Sequence, residues 1–81
     1  MKNYICVHVV AVNGDETKEE RAPYMVIDND IVYAISDEHD CVGGNSTIMV
    51  CFPGVKEAVL MEVTEPIEDV VAMVNNCRKE A

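Results

Sequence analysis

The chain has no tryptophan, one phenylalanine, one leucine and only six lysines and arginines in 81 residues. Each scarcity excludes something. Six scattered basic residues cannot form the phosphate-neutralising patch from which nucleic-acid binding draws its affinity, so no direct nucleic-acid contact is expected. Anionic membrane surfaces are disfavoured for the same reason. No segment approaches the ~20 apolar residues of a membrane-spanning helix. No Walker, dinucleotide or nucleophile-elbow pattern occurs. The cysteines, Cys6, Cys41, Cys51 and Cys77, are spaced irregularly with no CxxC pair. The N-terminal stretch is interrupted by His8 and runs straight into Asn13-Gly14 without a cleavage site. It therefore reads as a strand rather than a signal peptide, and a cytoplasmic protein with reduced thiols is expected. Cys6, Cys51 and Cys77 lie in apolar segments and are expected as small buried hydrophobes.

What is present is acid and β-branching. Fifteen acidic residues give a formal charge of −9. Nine of them lie between Asp15 and Asp40, opposed only by Lys18 and Arg21. Fourteen valines and six isoleucines stand against the single leucine. Branching at Cβ crowds a helix turn and suits a pleated sheet. The composition points to one domain, residues 1–81, of the α+β class and mainly β. The expected form is a small antiparallel sheet or partly open barrel of four to five strands with one C-terminal helix.

The first strand is Tyr4–Val12, with Ile5, Val7, Val9 and Ala11 on one face and Cys6, His8, Val10 and Val12 on the other. Asn13-Gly14 predicts a type I′ hairpin. The polar return Asp15–Ala22 is either a solvated edge strand or a loop. Tyr24–Asp28 is a short strand, followed by an Asx turn at Asp28-Asn29-Asp30. A calcium loop is not expected there, because Val32 and Tyr33 break the ligand pattern. Ile31–Ser36 alternates Ile31, Tyr33 and Ile35 against Val32, Ala34 and Ser36. Asp37–Ser46 is a loop. Thr47–Phe52 and Glu57–Val63 form a hairpin around Pro53-Gly54. Pro66 opens a helix capped by Thr64 or Glu65, with an apolar stripe of Ile67, Val70, Val71 and Val74 and fraying near residue 78.

This order of pieces resembles the FlbD-like family of small strand-rich proteins. The resemblance rests on Val12-Asn13-Gly14, the Ile31–Ser36 strand, the Thr-led strand Thr47–Phe52 meeting Gly54 and Lys56, and Glu62-Val63-Thr64-Glu65 leading into the helix. It covers residues 7–16 and 31–74. The acidic insert after Gly14 and the loop at 37–45 depart from it. It implies a short strand-rich fold ending in a helix, and it brings no catalytic residue.

Three site readings follow. Asp37, His39, Asp40 and Cys41, with Glu38, place carboxylates, an imidazole and a thiol within five residues. They are the candidate metal ligands, although adjacent residues rarely point at one ion and a solvated acidic loop is the plainer reading. Cys41 beside His39 could also pair a thiol with a base, but a mobile loop would not preorganise them. His8 is expected as a hydrogen-bonded strand residue. Asp15, Glu16, Glu19 and Glu20 form a candidate interaction surface that could dock a basic or nucleic-acid-binding protein. The expected function is a non-enzymatic interaction or regulatory module, with no cofactor. Its core is modest and its first strand apolar on both faces, so self-association into a homo-oligomer is expected.

Overall fold

The computed structural model describes residues 3–16 and 24–80. Among these residues, six strands form an open antiparallel sheet: β1 (Tyr4–Val12), β2 (Asp15–Glu16), β3 (Tyr24–Asp28), β4 (Val32–Ser36), β5 (Ser46–Val50) and β6 (Val59–Val63). One helix, α1 (Ile67–Glu80), follows. The order across the sheet is β2-β1-β6-β5-β4, and β3 also pairs with β1. The α+β, mainly β expectation holds: the sheet is open, and of the polar return read as an edge strand or a loop, Asp15–Glu16 pairs as edge strand β2, which makes six strands among the described residues where four to five were expected.

Local chemistry explains the connections. Asn13 and Gly14 adopt φ of 50° and 85°, the left-handed pair that a two-residue hairpin needs. Val55 N donates to Phe52 O at 3.1 Å across Pro53-Gly54, with Gly54 at φ 81°. Between β3 and β4 lies one 3-10 turn, Asn29–Ile31, capped by Asp28, whose Oδ1 accepts from Asp30 N at 2.9 Å. The Asx turn is thus present. Pro66 is the residue before the helix rather than its first residue. Its carbonyl accepts from Asp69 N and Val70 N. Glu65 is drawn away to β1 instead of capping, and the helix runs on to Glu80.

The helix packs against β1 and β4. Ile5, Val7, Val9, Ile27, Ile48, Val50, Met61 and Val63 meet Val70, Val74 and Cys77 in one core. Cys77 is buried as expected, but Cys6 and Cys51 are only half-buried: Cys6 lies on the β1 face away from this layer, and Cys51 lies just beyond the end of β5. The helix stripe also differs from the expected one. Val71 is 39% exposed, and Cys77 takes its place beside Val70 and Val74.

Two β-bulges set which residues face outward. On β1, Val9 pairs with Val63 and Ala11 with Glu62, so Val10 is an extra residue. On β4, Val32 pairs with Val50 and Ala34 with Met49, so Tyr33 is extra. Each bulge breaks the two-residue alternation. Val32 and Ile35 therefore share the core side, and Tyr33 is 69% exposed, contrary to the alternation read from the sequence. Likewise Val12 pairs with Met61 and packs against the core.

Candidate functional site

The bulges align two rows of side chains on the sheet face away from α1. Strand pairing places Ala11, Glu62, Thr47 and Ser36 in one row across four strands. Leu60, Met49 and Ala34 make the next row. Loop 37–45 folds back over the polar row, and the apolar row stays open. The result is an open groove of ≈ 850 Å³. Its rim carries Asp37, Glu38, His39 and Asp40, and the hairpin tip Asn13-Gly14 also lines it.

The loop is anchored by the sheet below it. Glu62 Oε1 accepts from Asp40 N at 2.6 Å and from Cys41 N at 3.0 Å. Thr47 Oγ1 donates to Glu38 O at 2.5 Å, and Glu38 N donates to Ser36 Oγ at 3.1 Å. Gly44 N donates to Cys41 O at 3.0 Å. A Cβ on Gly44 would stand 3.0 Å from Glu62 Oε1 and 3.3 Å from the Cys41 carbonyl, so the turn presses directly on the anchoring carboxylate.

The electrostatics follow from these bonds. The Cys41 N–H, the Cys41 thiol and the Asp40 N–H together hold the Glu62 carboxyl below the usual range, against partial desolvation. Conversely, hydrogen bonding to Glu62, loss of solvent and the charges of Glu62 and Glu16 push the Cys41 thiol up to about 11. A thiol so placed is protonated near neutral pH and is a poor nucleophile. The His39 Nδ1 lies 3.0 Å from Asp37 O.

A second carboxylate ties the sheet to the helix entry. Glu65 Oε1 accepts from His8 N at 2.8 Å, and its Oε2 lies 2.7 Å from His8 Nδ1. Partial burial raises the Glu65 carboxyl, but its hydrogen bonds with the His8 ring and backbone outweigh this and leave it below the usual range. His8 is thus a hydrogen-bonded strand residue, as expected. The same corner is held by Ser46, fully buried, whose Oγ donates to Glu65 O at 2.7 Å. Asn45 Nδ2 donates to Thr64 O at 2.7 Å.

Asp37, His39 and Asp40 are exposed along the groove rim, while Cys41 is half-buried against Glu62. Among the described residues, no three His, Cys, Asp or Glu side chains gather so as to hold a metal ion. Asp15 and Glu16 form exposed β2 beside the groove, whereas Glu19 and Glu20 lie outside the described residues. Sequence reading missed Glu62, Leu60 and Met49 as site residues. Alternation along β6 does put Leu60 and Glu62 on one face, but the partner loop lies 22 residues away.

No family model matches the chain, and no curated protein or solved structure matches it. Among the described residues, no helix is long and apolar enough to cross a membrane.

Proposed function

We propose that this chain is a non-enzymatic interaction module that associates with itself. One observation carries the reading. A small groove of ≈ 190 Å³ between β4 and α1 is lined by Val32, Tyr33, Ala34, Val71 and neighbours, with no charged side chain among the described residues that line it. A molecule of charge −9 repels its own copies over most of its surface. Self-association therefore needs an uncharged contact, and this strip supplies one. Tyr33, an aromatic side chain well suited to anchoring an interface, stands at its edge. Among the described residues β4 pairs only with β5, so the strip also borders an open edge of the sheet. The resemblance to the FlbD-like family is consistent with a role that needs no catalytic residue.

Native mass spectrometry of the untagged protein tests this reading. A dimer or larger assembly is expected for the native chain, and a monomer for Tyr33→Glu, which places a charge in the strip without disturbing the core. A monomeric native chain, or a Tyr33→Glu variant that assembles as well, would overturn it.

A second reading has its own support. The acidic rim of the outer groove favours an acidic surface that binds a basic protein. Such binding weakens steeply with salt. Neutralising Asp15, Glu16, Glu19 and Glu20 without effect would remove those four residues from that surface.

A further inference from the structure

We infer that the outer-face groove receives an extended basic segment of a partner protein, with an apolar side chain seated on Leu60, Met49 and Ala34 and flanking lysines or arginines against Asp37, Glu38 and Asp40. The inference rests on the second reading above and gives it a place and a ligand chemistry.

The groove has two sides of different character. Its apolar row stays open to solvent, and Leu60 is 48% exposed although it lies within β6. Its rim carries three carboxylates whose side chains are exposed. Among the described residues, no lysine or arginine lines the groove. An apolar floor beside a rim of one charge sign selects a ligand that is apolar in its centre and cationic at its flank. The apolar floor crosses three strands, about 10 Å at ~4.8 Å per strand spacing, which matches roughly three residues of extended chain. The trough is open rather than enclosed, which suits a chain segment. The rim is also held in place before any ligand arrives, because Glu62, Thr47 and Ser36 anchor the loop backbone from below. The carboxylates of Asp37, Glu38 and Asp40 take no part in that anchoring and stay available.

The probe is a fluorescein-labelled, end-capped hexapeptide alternating arginine and leucine, read by fluorescence polarisation against the full chain. Saturable binding is expected. It should weaken about tenfold in Leu60→Ser, and by a similar factor in the triple variant Asp37→Asn, Glu38→Gln, Asp40→Asn. A matched triple variant away from the groove, Glu57→Gln, Glu68→Gln, Asp69→Asn, removes the same charge and should stay within about twofold of the native chain. Circular dichroism confirms that each variant keeps its strand and helix content. If both triple variants weaken binding equally, or Leu60→Ser has no effect, the groove is not the site, while the acidic-surface reading stands. If the native chain does not bind the peptide at all, both fall.

Discussion

Glu62 does two jobs through one carboxylate. It accepts two backbone N–H groups from loop 37–45, and its hydrogen bond and charge push the Cys41 thiol up. Glu62→Gln removes the charge but keeps an oxygen acceptor. The Cys41 thiol should then move from about 11 back toward its ordinary 9.0. At pH 8.5 a thiol of ordinary pKa is roughly a quarter ionised, whereas one near 11 is ionised well below one per cent. Modification of Cys41 by Ellman's reagent, followed on a Cys6→Ser, Cys51→Ser background, should accelerate on the order of tenfold. An unchanged rate would mean that Glu62 does not control the thiol. Glu65 makes a pH prediction. Its folded pKa lies below the ordinary 4.5, so its bonds to His8 contribute fully above that pH and fade as the pH falls through the lower folded value. Glu65→Gln should cost about 1 kcal/mol at pH 7, measured by urea unfolding. The gap to the native chain should narrow below pH 4.5. A gap that widens toward acid would contradict the assignment.

At the scale of elements, the helix face can be tested residue by residue. Val70 is fully buried against the sheet and Val71 is 39% exposed. Val70→Ala should cost about 2 kcal/mol, and Val71→Ala only about 0.5 kcal/mol or less, in urea unfolding. Equal costs would mean that the helix is rotated from its described seat. The helix shows what a pattern can and cannot convey. Its start after Pro66 and its apolar spacing are legible in the sequence, because both are local. Its rotation is not, because Cys77 competes with Val71 for the core and composition does not rank them. The strands behave alike. Asn13-Gly14, Pro53-Gly54 and Asp28 announce their turns through their own φ preferences and side-chain acceptors. The bulges at Val10 and Tyr33 have no local signature, since each is defined by the register of a neighbouring strand. The groove inherits that difficulty. Its acidic rim is visible as a run of charges, but its floor exists only once β1, β6, β5 and β4 are in register.

For the whole molecule, charge makes the two proposed contacts respond oppositely to salt. Raising ionic strength screens the repulsion between copies of charge −9 and should strengthen self-association. The same change weakens attraction between the acidic rim and a basic peptide. Sedimentation velocity and peptide polarisation, run in parallel as ionic strength rises from about 0.01 M to about 1 M and the Debye length shortens from ~30 Å to ~3 Å, should therefore show opposite trends. Parallel trends would tie both contacts to one surface. The architecture also brings distant parts of the chain together. Cys77 Sγ donates to Tyr4 O at 3.3 Å, so the last turns of α1 rest beside the beginning of β1. A short flexible bridge could join those two ends, and the chain could be opened instead at the exposed Pro53-Gly54 turn. Every strand pairing would survive that reordering. The fold's identity therefore resides in which strands lie side by side, not in which of them the ribosome makes first.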